Sequence, residues 1–161
     1  DEYHQFIRYY SDILKYLNLS LTEKEIQAIA DDRTNNMGNY IVYPDAKEVL
    51  EVLSHSYKLG IISDTWPSIE RQLCTIGVRD YFSTTTYSCE LGKFKPDEAL
   101  YEDALRKSGC KPEETVFIDD SVRNLEGAAK LGITPILIAA NPASDVESPY
   151  LKIHTLSELL T

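Results

Sequence analysis

At 161 residues the chain has room for one domain, or one domain with a small appendage. Its 43% hydrophobic and 26% charged residues suit a globular protein, and no apolar run approaches the ~20 residues of a membrane helix. A formal net charge of −10 excludes a nucleic-acid backbone as partner, because that needs clustered Lys and Arg, but it permits a small anion where a metal and a local Lys reverse the sign.

In chain order, Phe6, Ile7, Tyr10, Ile13, Leu14 and Leu17 fall at the spacing of an amphipathic helix over residues 1–18. Thr22 and Glu25 predict a capped helix start before Ile26 and Ile29. The Asn-, Asp- and Gly-rich stretch from Asp31 to Tyr40 reads as a loop. Pro44 opens a helix to about Ser54 with Val49, Leu50 and Leu53 inward. The texture then changes to alternation. Tyr57–Ile62 reads as a strand, Pro67–Thr75 as a helix, Tyr81–Tyr87 as β-rich and Asp97–Ser108 as a helix. Thr115–Ile118 is a strand, Val122–Leu131 a helix closing on Gly132, Thr134–Ile138 a strand and Ser157–Leu160 a short helix. Strands alternating with helices of this length predict an α/β, doubly wound (Rossmann-like) parallel sheet. The first 40 residues lack strands, so residues 1–40 are expected to form a small helical subdomain and residues 41–161 the α/β core. Tyr3, Tyr9, Tyr10 and Tyr16 read as packing residues of that subdomain. Cys74, Cys89 and Cys110 form no C-x-x-C pair, and no basic leader precedes an apolar stretch. Reduced thiols and a cytoplasmic location are therefore expected. His4, His55 and His154 show no metal-ligand spacing.

Three strand ends draw attention, since ligands of open α/β sheets bind beyond the carboxyl ends of the strands. The apolar run Gly60-Ile61-Ile62 ends in Ser63-Asp64-Thr65-Trp66 before a helix, where a hydroxyl and free N–H groups suit either an anion or an ordinary N-cap. Trp66 suits either a substrate entrance or a packing contact. Lys95 is held extended by Pro96 and could neutralise phosphoryl charge or simply face water. The strand before Asp119-Asp120-Ser121 runs into two adjacent carboxylates, which repel unless a cation lies between them or they take different tasks. A cation there would be Mg²⁺, held by carboxylates, water and substrate phosphate; otherwise one acid caps the helix and the other is solvated. Asn124, one helical turn past Asp120, either orients the acids or faces water. A hydroxyl, a Lys-Pro and paired acids, each after its own strand, form a more specific signal than any one of them.

This order resembles the haloacid dehalogenase-like hydrolases, chiefly their phosphatases with a small helical cap. IISDTWPS, GKFKPDEALYEDAL and VFIDDSVRNLEGAAKLGI look like the second, third and fourth motifs of that family, and the resemblance covers residues 41–140. The Asp-Asp form of the last motif is similar to the branch holding sugar-phosphate phosphatases and the phosphatase domain of soluble epoxide hydrolases. The resemblance implies that Ser63, helped by the Asp64 backbone N–H, binds the transferring phosphoryl group. It implies that Lys95 pairs with phosphoryl oxygens and the nucleophile, that Asp120 ligates Mg²⁺ and that Asp119 supports that shell. Phosphoryl transfer is mostly positioning and charge stabilisation, so such parts agree with the chemistry. The implied substrate is a small phosphorylated metabolite, hydrolysed through an aspartyl-phosphate.

One element of the family pattern is missing from the sequence: the D-x-D motif at the end of an apolar first strand. Asp1, Asp12, Asp31 and Asp32 all lie in helical or loop contexts. In the resembling fold that strand is central, between the strands ending in Ser63 and Asp119. The chain is therefore expected to be part of a longer one with an Asp-x-Asp motif before Asp1, and to be inactive without it. Other readings are a catalytically inactive relative that binds ligands, a dehalogenase or phosphomutase on the same fold, and a phospho-receiver domain. The receiver reading has the acid pair early and the Lys last, the reverse of the order here. Neither the individual substrate nor the oligomeric state is legible.

Overall fold

In the computed structural model, which describes residues 1–141 and 145–161, the two amphipathic stretches at the start fold as α1 (Glu2–Tyr16) and α2 (Glu23–Asn35) and pack on each other. The Asp1 carboxylate accepts from the His4 backbone N–H, and Thr22 and Glu25 form the capping box anticipated from their spacing. α2 continues through Asn35, so the expected loop from Asp31 is corrected. Asn35 Nδ2 donates to Asp31 Oδ1 at 2.8 Å and Asn36 Nδ2 to Asp32 Oδ1 at 2.7 Å. These side chains favour turns when they bond to nearby backbone; pairing along the helix surface removes that competition. A 3₁₀ turn, Met37–Asn39, follows.

α3 (Ala46–Ser54) starts just beyond Pro44 with Val49 buried, and Asp45 Oδ2 accepts from the Ser157 backbone N–H, joining the two ends of the core. β1 (Gly60–Ser63) is displaced from the expected Tyr57–Ile62 because its register with β2 (Thr84–Tyr87) begins at Gly60 opposite Thr84. A Cβ at Gly60 would lie 2.7 Å from Thr84 Oγ1, so a larger residue there would have to displace the Thr84 side chain. α4 (Ile69–Ile76) lies between these strands in sequence, and the β-rich stretch Tyr81–Tyr87 divides into a 3₁₀ turn, Arg79–Tyr81, and β2. The rest runs α5 (Ser88–Leu91), α6 (Glu98–Ser108), β3 (Val116–Asp119), α7 (Val122–Lys130), β4 (Thr134–Ile138) and β5 (Leu151–Ile153). The final helix expected at Ser157–Leu160 is a 3₁₀ turn, Leu156–Leu160.

Among the described residues all strand pairs are parallel, in two sheets: β1 with β2, and β3, β4 and β5 in that order. Among the described residues no strand joins β1 to β3. Side chains alternate across a strand, and β1 sends Ile61 to a cluster of Leu73, Val78 and Tyr87 and Ile62 to one of Tyr101, Phe117, Leu125 and Leu137. α6 bridges the two sheets: it lies on β1 and β2, while its Tyr101 meets Phe117 of β3 edge-on with ring centroids 5.4 Å apart. The result is a layered α/β core in which Asp64, just after β1, and Asp119, at the end of β3, both bond to Lys95.

Candidate active site

The turn after β1 is held from two sides. Asp64 Oδ1 accepts from the Lys95 backbone N–H at 2.9 Å. Ser88, fully buried at the start of α5, accepts from the Thr65 N–H at 2.8 Å and donates to the Thr65 carbonyl at 3.2 Å. Ser63 closes β1 immediately before this turn, half-buried. The helix that follows begins at Ile69 rather than Pro67, and its Ser68 N–H donates to Glu2 Oε2 of α1 at 2.8 Å. The sequence leaves the N–H groups of this helix start open to an anion or to an N-cap; a carboxylate of the chain itself takes the Ser68 donor. Trp66 packs on Phe6 of α1, centroids 4.9 Å apart, so it serves the helical segment as a contact.

Lys95 and Asp119 form a buried ion pair, Nζ to Oδ2, at 2.6 Å, with side chains 11% and 7% exposed. The other carboxylate oxygen of Asp119 accepts from the Ser121 N–H and from Asn124 Nδ2, both at 2.9 Å. Three donors around one carboxylate, one of them charged, compensate its removal from water. The Lys95 ammonium also lies 5.7 Å from the centroid of the Phe117 ring. Asp120 is exposed, and with Asp119 it lines a cavity of about 250 Å³ together with Tyr43, Ile118, Ile138, Ala140 and Asn141. Adjacent in sequence, the two acids therefore occupy different surroundings. Beneath them Tyr101 is fully buried, its hydroxyl donating to the Asn124 carbonyl at 2.8 Å. Burial first, and then the negative charge of Asp119 and Asp64, push the Tyr101 hydroxyl well above the ordinary tyrosine range.

The structure thus brings Lys95 against both Asp64 and Asp119 and places Asp120 beside them. Sequence reasoning missed Ser88, whose only signal is its place directly after a strand, and it missed the bond of the Asp64 side chain to the Lys95 backbone N–H. Asn124 was left between two readings; it orients Asp119. Among the described residues no group of three His, Cys, Asp or Glu gathers as a closed metal cage. Hard oxygen donors of the Asp119–Asp120 type suit Mg²⁺, which keeps several waters and takes few protein ligands.

A parallel α/β core with a lysine and paired acids at its strand ends carries parts that suit phosphoryl chemistry. The family model described as haloacid dehalogenase-like hydrolase matches residues 3–138, and the chain belongs to that family. Glyceraldehyde 3-phosphate phosphatase of Methanothermobacter thermautotrophicus is 31% identical over 96 residues, 56% of this chain and 41% of that protein. (S)-2-haloacid dehalogenase 4A of Burkholderia cepacia is 30% identical over 122 residues, 73% of this chain and 53% of that protein. The crystal structure of a HAD phosphatase from Thermococcus onnurineus superposes with a TM-score of 0.73 at 27% identity, covering 92% of this chain and 67% of that one. The chain spans about half, or less, of the length of these two curated relatives.

Proposed function

We propose that the protein is a Mg²⁺-dependent phosphatase of a small phosphorylated metabolite, with residues 1–40 as part of a helical cap over an α/β core of residues 41–161. The observation that carries this reading is Lys95, whose ammonium pairs with buried Asp119 at the end of β3 while its backbone N–H is held by the Asp64 carboxylate just after β1. In this reading Lys95 and the Ser63 hydroxyl bind the phosphoryl oxygens, while Asp119 fixes the ammonium. Asp120, with support from Asp119, would hold Mg²⁺, which supplies charge neutralisation of the phosphoryl group. The attacking carboxylate lies on a strand outside these 161 residues, and the 161 residues alone are expected not to turn over substrate. A cytoplasmic location accompanies this reading.

The test is hydrolysis of p-nitrophenyl phosphate by the full-length protein with and without Mg²⁺. Mg²⁺-dependent turnover that Asp120→Ala abolishes is the expected result; turnover unchanged by chelation or by that substitution overturns the metal assignment. The dehalogenase relative motivates a second arm, chloride release from 2-chloropropionate. Chloride release without phosphate release would replace the phosphatase reading with a dehalogenase one.

A further inference from the structure

We infer that Gly127 is a positioning residue for Lys95: its missing side chain lets α7 lie against the Lys95–Pro96 turn. Only the kinetic arm of the test below rests on the phosphatase reading. A Cβ at Gly127 would sit 2.7 Å from Pro96 Cβ, 3.0 Å from the Tyr101 hydroxyl oxygen and 3.1 Å from the Pro96 carbonyl oxygen. The first and last of these atoms belong to a proline ring and a backbone carbonyl, which cannot swing aside. Tyr101 cannot yield either, since it is fully buried, bonded to the Asn124 carbonyl at 2.8 Å and wedged edge-on against Phe117. Alanine is the better helix former, so a glycine within α7 is accounted for by this contact and not by the helix.

The contact matters because α7 governs both halves of the ion pair. Asn124 and Gly127, three residues apart, share a helix face. Asn124 Nδ2 holds Asp119 Oδ1 at 2.9 Å, while Gly127 meets the residue that follows Lys95. On its far side the Lys95 backbone is bonded to Asp64, so the turn is clamped between β1 and α7. A methyl group at Gly127 must move either α7, and with it Asn124 and Asp119, or the Lys95 turn. Either movement lengthens a 2.6 Å contact that has no slack.

The test uses the full-length protein. Gly127→Ala is expected to lower kcat on p-nitrophenyl phosphate by about tenfold or more with KM changed less than about threefold, since misplacement near 1 Å can cost about 100-fold. It is also expected to shift the Lys95 side-chain ammonium resonance in nitrogen-15 NMR and speed its proton exchange. Gly109→Ala is the control: its φ of +67° strains alanine, but no heavy atom lies within 4 Å of the added Cβ. It should lose stability while kcat and the Lys95 resonance stay put. Pro96→Gly removes the atom nearest the new methyl, so Gly127→Ala should affect kcat and the Lys95 resonance much less in that background. Equal effects of Gly127→Ala with and without Pro96, or a loss that only follows the folded fraction, overturn the inference. If Gly127→Ala alone does not fold, comparing Pro96→Gly/Gly127→Ala with Pro96→Gly decides it: a Lys95 resonance alike in the two supports the inference, and one displaced in the double variant overturns it. If wild type hydrolyses nothing, the phosphatase reading fails and the resonance still decides the role of Gly127.

Discussion

Lys95 shows what a buried charge contributes and what it demands. Its ammonium and the Asp119 carboxylate are almost wholly withdrawn from water, and each is the main compensation for the other's desolvation. Removing one partner strands the other. Lys95→Met is therefore expected to destabilise the fold by about 3–5 kcal/mol as well as to remove a phosphoryl ligand. Lys95→Met/Asp119→Asn should recover much of that loss, because asparagine still accepts from Ser121 and Asn124 without a buried charge. Urea denaturation of the two variants measures the difference; equal midpoints would mean that the ion pair contributes no net coupling. At this scale the sequence revealed the residue types but not their division of labour. Pro96 flagged Lys95, and adjacency flagged the two acids, yet which acid is buried depends on where β3 ends relative to α7. Ser88 signals only by its place directly after a strand and Gly127 only as a glycine inside a helical pattern, because their roles arise from neighbours that are distant along the chain.

Elements were legible wherever a period ran long enough. The amphipathic spacing of α1, the capping box of α2 and the apolar runs of β3 and β4 each identify the element they form. Short elements escaped: β5 and α5 span too few residues to establish a period, and polar pairing concealed the end of α2. Between elements, charge and hydroxyl groups do joining work that pattern cannot reveal. The buried Tyr87 of β2 donates to Glu70 of α4 at 2.7 Å, and Arg79 donates to the other oxygen of Glu70 at 2.7 Å. The hydrogen bonds from Tyr87 and Arg79 hold the Glu70 carboxyl below its ordinary value of 4.5. A lowered folded value means that protonation favours the unfolded chain. The Glu70 contribution is thus complete above about pH 4.5 and lost as pH falls through the folded value. Burial, and then the bond to Glu70, push Tyr87 from 10.0 up to about 12, the opposite sense. Its contribution is complete below pH 10 and lost as pH rises through about 12. The Glu70 side chain is 45% exposed, so solvent screening limits its share to less than about 1 kcal/mol. Thermal midpoints across pH should show Glu70→Gln flattening the acid limb and Tyr87→Phe the alkaline limb. Limbs that stay unchanged would show that this network carries no net stability.

The whole molecule is defined by the separation of its two sheets. Parallel strands are covered on both faces and normally have neighbours on both edges. β1 meets the first condition, with Ile61 and Ile62 packed, partly buried, against opposite clusters, yet among the described residues it pairs only with β2. Among the described residues β3 likewise pairs only with β4, although Phe117 is buried and Asp119 anchors Lys95. Both strands have the side-chain pattern of interior strands and the hydrogen bonding of edge strands. The alternation of strand and helix could be read from the sequence, whereas the division followed only from the family resemblance, which puts the missing strand between those ending in Ser63 and Asp119: which strands find partners is a property of spatial order and not of local composition. Unpaired buried backbone groups cost about 1–3 kcal/mol each, and an open parallel edge is a template for pairing with other chains. A strand entering between β1 and β3 would satisfy both edges and place its carboxyl end beside Ser63, Lys95 and Asp119. If the proposed strand is present in a longer chain, that chain is expected to protect the β1 and β3 amides from hydrogen exchange far more strongly than the 161 residues alone do, and the 161 residues alone to self-associate at lower concentration. Equal protection of Ile62 and Ile118 in the two forms would show that no strand pairs there, and the attacking carboxylate would have to be sought elsewhere.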